Sequence, residues 1–279
     1  MTKVTQPTVH FISGLPRSGS TLLAGILRQN PLFTAGMSSP VGGLMNQLLQ
    51  SMSTNSEFSV FISEQQKRDI LMGVFSAYYN SALQENKIIF DTNRLWCSKL
   101  PLIIELFPNA KIICCVRNIA WIMDSFERIV RKNPFEVSKI FNSGELATVY
   151  SRTEALSGGN RIVGFAYNGL KEAFYSEEAA RLLLVDYQIL TQKPKEVMGL
   201  IYQFLGLKYY PHDFENVEYS EEEFDSFLNT TGLHTVKRKV EFIPRKTILP
   251  PDLFTKFSDL SFWENNQGSA ANIIGAKTQ

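Results

Sequence analysis

Val9-His10-Phe11-Ile12-Ser13-Gly14-Leu15-Pro16-Arg17-Ser18-Gly19-Ser20-Thr21-Leu22-Leu23 is the stretch from which the fold can be read. A short apolar run leads into a turn with two glycines, and Leu22, Leu23, Ile26 and Leu27 then open an amphipathic helix. Gly14 and Gly19 stand five apart with hydroxyls after them, which is the frame of a phosphate-binding loop, G-x-x-x-x-G-K-[ST]. Backbone N–H groups at a helix start have no intrahelical partner, and the helix dipole adds partial positive charge, so anions bind there. One letter departs from the frame: Ser20 stands where the lysine belongs. Arg17 supplies a cation earlier in the loop, as a planar fork suited to bidentate oxyanion contact. Such a loop suits a terminal phosphate better than a metal-bound triphosphate.

Outward from the loop, strands alternate with helices. Lys87–Asp91, Ala110–Val116 and Leu182–Asp186 read as buried strands, and the continuous apolar run at 110–116 is of the kind found in central parallel strands. Helical patterns fall near 44–52, 64–83, 100–106, 119–130, 165–175 and 194–205. The expected fold is therefore α/β: a single P-loop-type domain over 1–279, with a central parallel β-sheet flanked by helices on both faces. Its core spans 8–206 and its lid or tail 207–279, with Asn272–Gln279 expected to fray. Ligands in such sheets bind beyond the carboxyl ends of the strands. That places Gly14–Thr21, Asp91–Arg94, Arg117-Asn118 and Asp186-Tyr187 together. A charged residue after a buried strand can simply mark the sheet edge. Ser125, however, lies eight positions beyond Arg117, about two helical turns on, so the pair could grip a second phosphate.

Composition sets the bounds. A chain of 279 residues with 44% hydrophobic and 20% charged residues can bury a sizeable core. A formal net charge of +1 gives no argument for nucleic acid or an anionic membrane. Cys97, Cys114 and Cys115 cannot build a disulfide framework, no apolar leader is visible in Met1–Thr8, and no run of about 20 apolar residues spans a bilayer. A cytoplasmic location without a membrane span is expected.

These residues carry a family resemblance. Gly14-Leu15-Pro16-Arg17-Ser18-Gly19-Ser20-Thr21 resembles the loop with which sulfotransferases hold the 5′-phosphosulfate of 3′-phosphoadenosine-5′-phosphosulfate (PAPS), and the Arg117/Ser125 spacing resembles their 3′-phosphate site. The wording is most similar to the tyrosylprotein sulfotransferases and related bacterial sulfotransferases. Leu106-Phe107-Pro108-Asn109 and the stretch from Asp186-Tyr187 to Phe204-Leu205-Gly206 resemble further family segments. The resemblance implies that Pro16, Arg17, Ser18, Gly19, Ser20, Thr21, Arg117, Ser125 and Tyr187 bind the nucleotide, and that 3′-phosphoadenosine-5′-phosphate (PAP) is the product. It also accounts for the missing lysine. A kinase must neutralise a highly charged γ-phosphoryl group with lysine and Mg²⁺; a sulfuryl group carries less charge, and no metal is expected.

The catalytic base is where the resemblance breaks. Gly36-Met37-Ser38-Ser39-Pro40 stands where tyrosylprotein sulfotransferases carry a glutamate, and Asp91-Thr92-Asn93-Arg94 holds no counterpart of the histidine of cytosolic members. The catalytic expectation is Arg17 with Asp91 as base and Arg94 directed at the bridging oxygen; alternatively Asp91 only orients Arg94 through an ion pair. His10 reads as a packed core histidine, and His234 is the better placed of the remaining two to reach the site. The basic run 235–240 is either a solvated face or, as the resemblance implies, a lid in which Arg238 and Lys239 reach the 3′-phosphate. A small-molecule or peptide acceptor is the expected partner, with room for a homodimer, and the insert before Asp91 and the region 133–159 are expected to line its pocket. Two alternatives stay open: an atypical P-loop nucleotide kinase or NTPase, with Asp91 and Asp186 as metal-binding strand ends, and a non-catalytic nucleotide-binding module.

Overall fold

In a computed structural model, described for residues 7–53, 56–132, 135, 138–219, 226–227, 236 and 238–275, the chain forms one six-stranded sheet in the order β2-β3-β1-β4-β5-β6. Every pairing is parallel. The elements run β1 (Val9–Gly14), α1 (Ser20–Leu27), β2 (Phe33–Ala35), α2 (Val41–Ser51), α3 (Glu64–Tyr78), α4 (Asn80–Gln84), β3 (Ile88–Thr92), α5 (Leu100–Leu106), β4 (Ile112–Val116) and α6 (Ile119–Lys132). They continue with α7 (Val149–Ser157), α8 (Ile162–Phe174), β5 (Leu182–Asp186), α9 (Tyr187–Gln192), α10 (Pro194–Leu205), α11 (Pro251–Ser258) and β6 (Asn272–Ile274).

The strands alternate between two apolar layers. Phe11, Ile89, Ile112, Cys114 and Leu184 join α2, α3, α5, α6 and α8 on one face, whereas Ile12, Phe90, Ile113, Cys115 and Val185 meet α1 and α10 on the other. Both faces are covered, which is why the strands read as unbroken apolar runs rather than alternating ones. β1 sits centrally between β3 and β4, so its carboxyl end opens onto the crevice where the sheet's winding reverses.

Three features depart from the sequence reading. Phe33–Ala35 is a strand too short for its period to show. Val149–Ser157, outside the helical patterns of the sequence, is a helix started by a Thr148/Ser151 capping box. The expected fraying of the C-terminal stretch is corrected at Asn272–Ile274: these residues pair with β5 in register Leu183↔Asn272 to Val185↔Ile274, satisfying an otherwise open sheet edge.

Candidate functional site

The loop after β1 is shaped by two close approaches. At Gly14 (φ +104°) a Cβ would lie 2.3 Å from the Cys115 carbonyl oxygen of the neighbouring strand β4, and Leu15 N–H donates to that same oxygen. At Gly19 (φ +92°) a Cβ would meet the Tyr187 ring at 2.8 Å. Between them Arg17 itself takes a left-handed backbone, φ 59°, costly for a residue with a side chain and held here by its surroundings. Gly19 caps α1 with no side-chain acceptor, leaving the first N–H groups of the helix open to an anion.

Around this loop lies a cavity of about 480 Å³. Pro16, Arg17, Gly19, Ser20 and Thr21 line it, as do Arg94, Arg117, Ser125, Tyr187 and Lys239. Met37 and Ser38 from the insert and Ile140 from the 133–159 region contribute to its walls. Ser18 belongs to the loop but not to the wall: it is fully buried and its hydroxyl donates to the Pro16 carbonyl at 3.2 Å. The hydroxyl role expected of Ser18 is thereby replaced by an internal brace.

Asp91 requires a correction too. β3 alternates, and in register with Phe11 the Asp91 side chain enters the apolar layer on the α3 side rather than the cavity. There its carboxylate accepts from Ser39 Oγ (2.6 Å), Tyr79 Oη (2.7 Å) and Trp96 Nε1 (2.6 Å), and among the described residues it forms no ion pair with Arg94. Burial raises its pKa, and the three donors oppose that rise. A carboxylate so enclosed holds structure together: Ser39 belongs to the segment carrying Met37 and Ser38, and Trp96 follows the turn carrying Asn93 and Arg94. Ser13 Oγ donates to the Arg94 carbonyl at 3.3 Å, tying that turn to the end of β1. Thr92 Oγ1, at the cavity wall, is buried without a hydrogen-bond partner. Asp186 is likewise committed, its Oδ1 accepting from Gln188 N–H (2.8 Å) and Ile189 N–H (3.1 Å) as the cap of α9.

The opposite wall is built on β4, α6 and α9. Arg117 donates to the Arg17 carbonyl at 3.3 Å and lies with its guanidinium carbon 4.4 Å from the Tyr187 ring centroid. Arg17 Nε donates to Ser125 Oγ at 3.1 Å. The arginine after β4, the serine two turns along α6 and the loop arginine are thus one connected group, with Tyr187 closing it from above Gly19. Burial, and the charges of Arg245 and Arg17, pull the Arg117 pKa down to about 10, so it stays protonated at neutral pH in a field that favours a bound anion. Arg94 lines the cavity, and desolvation by burial lowers its pKa as well.

A C-terminal strap crosses the cavity. Val217 N–H donates to the Arg238 carbonyl (2.7 Å) and Val240 N–H to the Phe214 carbonyl (2.8 Å), laying 238–240 against 214–217. Lys239, Glu241, Phe242, Ile243 and Arg245 of this strap line the cavity. Arg238 does not: its side chain is exposed and 3.7 Å from Glu218, outside the cavity where the sequence reading expects it to reach the 3′-phosphate, while Lys239 pairs with Glu215 at 2.9 Å on the cavity rim. Arg245 is the strap residue that the sequence reading missed. Pro244-Arg245-Lys246 is visible as a basic pair, but nothing in its spacing tells which basic pair of the tail meets the site. His10 is buried in β1 and accepts from Lys111 N–H through Nδ1; burial lowers its pKa to about 4. His234 lies outside the described residues.

Arg17, Arg94, Arg117, Lys239 and Arg245 face the cavity, against the single carboxylate Glu241 among the described lining residues. A wall of that charge, with an uncapped helix start and an orphan buried hydroxyl, fits a polyanion. Among the described residues no helix is long and apolar enough to cross a membrane.

Comparison with known proteins gives the following. A sequence model described as "Sulfotransferase family" matches residues 10–211. No curated protein matches the chain. Among solved structures, the sulfotransferase domain of the Synechococcus PCC 7002 olefin synthase is 19% identical with a TM-score of 0.47, over 92% of this chain and 95% of that one. The sulfotransferase domain of the curacin biosynthetic pathway is 17% identical with a TM-score of 0.49, over 92% of each chain. A sulfotransferase from Alicyclobacillus acidocaldarius is 15% identical with a TM-score of 0.49, over 81% of this chain and 92% of that one.

Proposed function

The chain belongs to the sulfotransferase family, and from that premise we propose that it transfers the sulfuryl group of PAPS to a hydroxyl acceptor by in-line displacement without metal. PAPS supplies a sulfuryl group already bonded to a phosphate leaving group. The observation that carries the donor assignment is the linked group Arg17–Ser125 and Arg117–Tyr187, which sets cationic and hydroxyl donors on two sides of the glycine loop. In this reading the open N–H groups of α1, Ser20 and Thr21 hold the 5′-phosphate end, and Arg17 offsets charge as it develops on the leaving phosphate, a preorganised electrostatic role. Arg117 and Ser125 hold the 3′-phosphate, with Lys239 and Arg245 closing over it from the strap, and Tyr187 packs beside the nucleotide. Arg94 faces the reacting centre from the other wall. Asp91 is a brace for the segments that carry Met37, Ser38 and Arg94.

The acceptor enters between those segments. The apolar Met37 beside the polar Ser38 and Asn93 supports a phenolic small molecule or a peptide tyrosine. A single domain, with the strap 238–248 closing over the site, fits this reading, and the three free cysteines support a cytoplasmic location.

A thermal-shift titration tests the donor. PAP without Mg²⁺ is expected to raise Tm in proportion to log concentration once above Kd, equivalent to about 2.7 kcal/mol at a hundredfold excess over Kd. Stabilisation by ATP–Mg²⁺ alone would overturn the donor assignment. PAP binding with no sulfate transfer to any phenol or tyrosyl peptide would reduce it to a nucleotide-binding module.

A further inference from the structure

One buried carboxylate on α6 has no part in the reading so far. Asp124 is fully buried, next in sequence to Ser125, and four donors from two directions converge on it. Arg128 Nε donates from one turn along the helix (2.9 Å). The other three come from the strap: the Arg245 guanidinium (2.8 Å), Thr247 Oγ1 (3.1 Å) and Ile248 N–H (2.8 Å). Arg128 also donates to the Lys246 carbonyl, so the strap is held at four successive residues, 245–248. Neighbouring positions on α6 therefore face different parts of the site: Ser125 takes the glycine loop through Arg17, and Asp124 takes the strap.

The consequence falls on Arg245. Its guanidinium carbon lies 5.6 Å from the Trp121 ring centroid, and it lines the same cavity as Arg117 and Tyr187. A flexible basic side chain on an exposed strap loses considerable rotamer entropy when it must wait beside another arginine. A fixed buried anion removes both the entropic and the electrostatic penalty beforehand, which is preorganisation. We propose that Asp124 is the positioning residue that sets nucleotide selectivity: it holds Arg245 opposite Arg117, so that a 3′-phosphorylated nucleotide is preferred over one without that phosphate. The inference rests on the assignment of the 3′-phosphate to Arg117 and Ser125.

Calorimetric titration with PAP and with adenosine 5′-monophosphate separates the two claims. The native protein is expected to bind PAP at least a hundredfold more tightly than the monophosphate; a ratio near one would sink the 3′-phosphate assignment itself. Arg245→Gln and Asp124→Asn should each cut that ratio about tenfold, the size of one charge-assisted hydrogen bond, with monophosphate affinity moving less than twofold. In the double variant the ratio should fall no further than in either single one, since both act through the same contact. A residue that merely supported the fold would weaken both nucleotides equally. If Asp124→Asn does not fold, Thr247→Val loosens the same turn and should lower the ratio two- to threefold with Tm nearly unchanged. A native selectivity that survives both Arg245→Gln and Thr247→Val would overturn the role of Asp124.

Discussion

At the scale of single residues, three positions have roles that chemistry type alone does not predict. Gly19 combines a left-handed backbone with contact to the Tyr187 ring, so Gly19→Ala should cost about 1–3 kcal/mol of stability and displace the ring, visible as a lower Tm and weaker PAP binding. Arg117→Ala should raise the PAP Kd by about 10- to 100-fold in calorimetry through lost charge-assisted hydrogen bonds; an unchanged Kd would remove Arg117 from the 3′-phosphate site. Asp91 is the instructive case. Its place at a strand end is legible in the sequence, and an acid there reads as facing the site. Which way its side chain points depends on register with Phe11, and that register sends it among Ser39, Tyr79 and Trp96. Asp91→Ala strands three buried donors and should destabilise by several kcal/mol, about 1–3 for each donor left unpaired. Asp91→Asn keeps a comparable bonding pattern, since an amide can donate to the two hydroxyls and accept from Trp96, and should retain most of the stability in chemical denaturation.

At the scale of elements, β1 carries both the loop and a buried imidazole. His10 sits in the sheet with its pKa lowered to about 4, below the ordinary value of 6.5, chiefly by burial and then by the charge of Lys111. The unfolded chain therefore takes up a proton at higher pH than the folded one. Stability should be full above about pH 6.5, fall as pH drops towards 4, and level off for this group below that, with up to about 3 kcal/mol at stake. Tm measured from pH 7.5 to 4 should show that slope, and His10→Phe should reduce it, with His212, whose pKa burial also lowers to about 4, supplying the remainder; an unaltered slope would place its origin elsewhere. The long elements are legible because their apolar periods are long: α10, capped by Gly206 in the left-handed region, runs over the residues its pattern indicates. β2 and β6, three residues each, carry too few positions to show a period, and pairing with β3 and β5 is what makes them strands.

At the scale of the whole molecule, the site is complete only when the tail returns across the sheet. The strap from Lys239 to Ile248 touches 214–217 at one end and α6 at the other, so a nucleotide held beneath it should slow amide exchange at Val240 and Ile248, whose N–H groups donate to Phe214 and Asp124. Exchange at these two amides that ignores saturating PAP would show that the strap is not part of the nucleotide site. The α/β class, the glycine loop at the first strand, the missing lysine and the Arg117–Ser125 spacing are all written in the sequence. Each of these is local: a period, a turn or an offset along one helix fixes it. The strand order, the burial of Asp91 and Ser18, the departure of Arg238 and the entry of Arg245 held by Asp124 come from long-range packing. Those depend on which face a side chain takes and which distant segment packs there, and a contact spanning more than a hundred residues leaves no period in the chain to read.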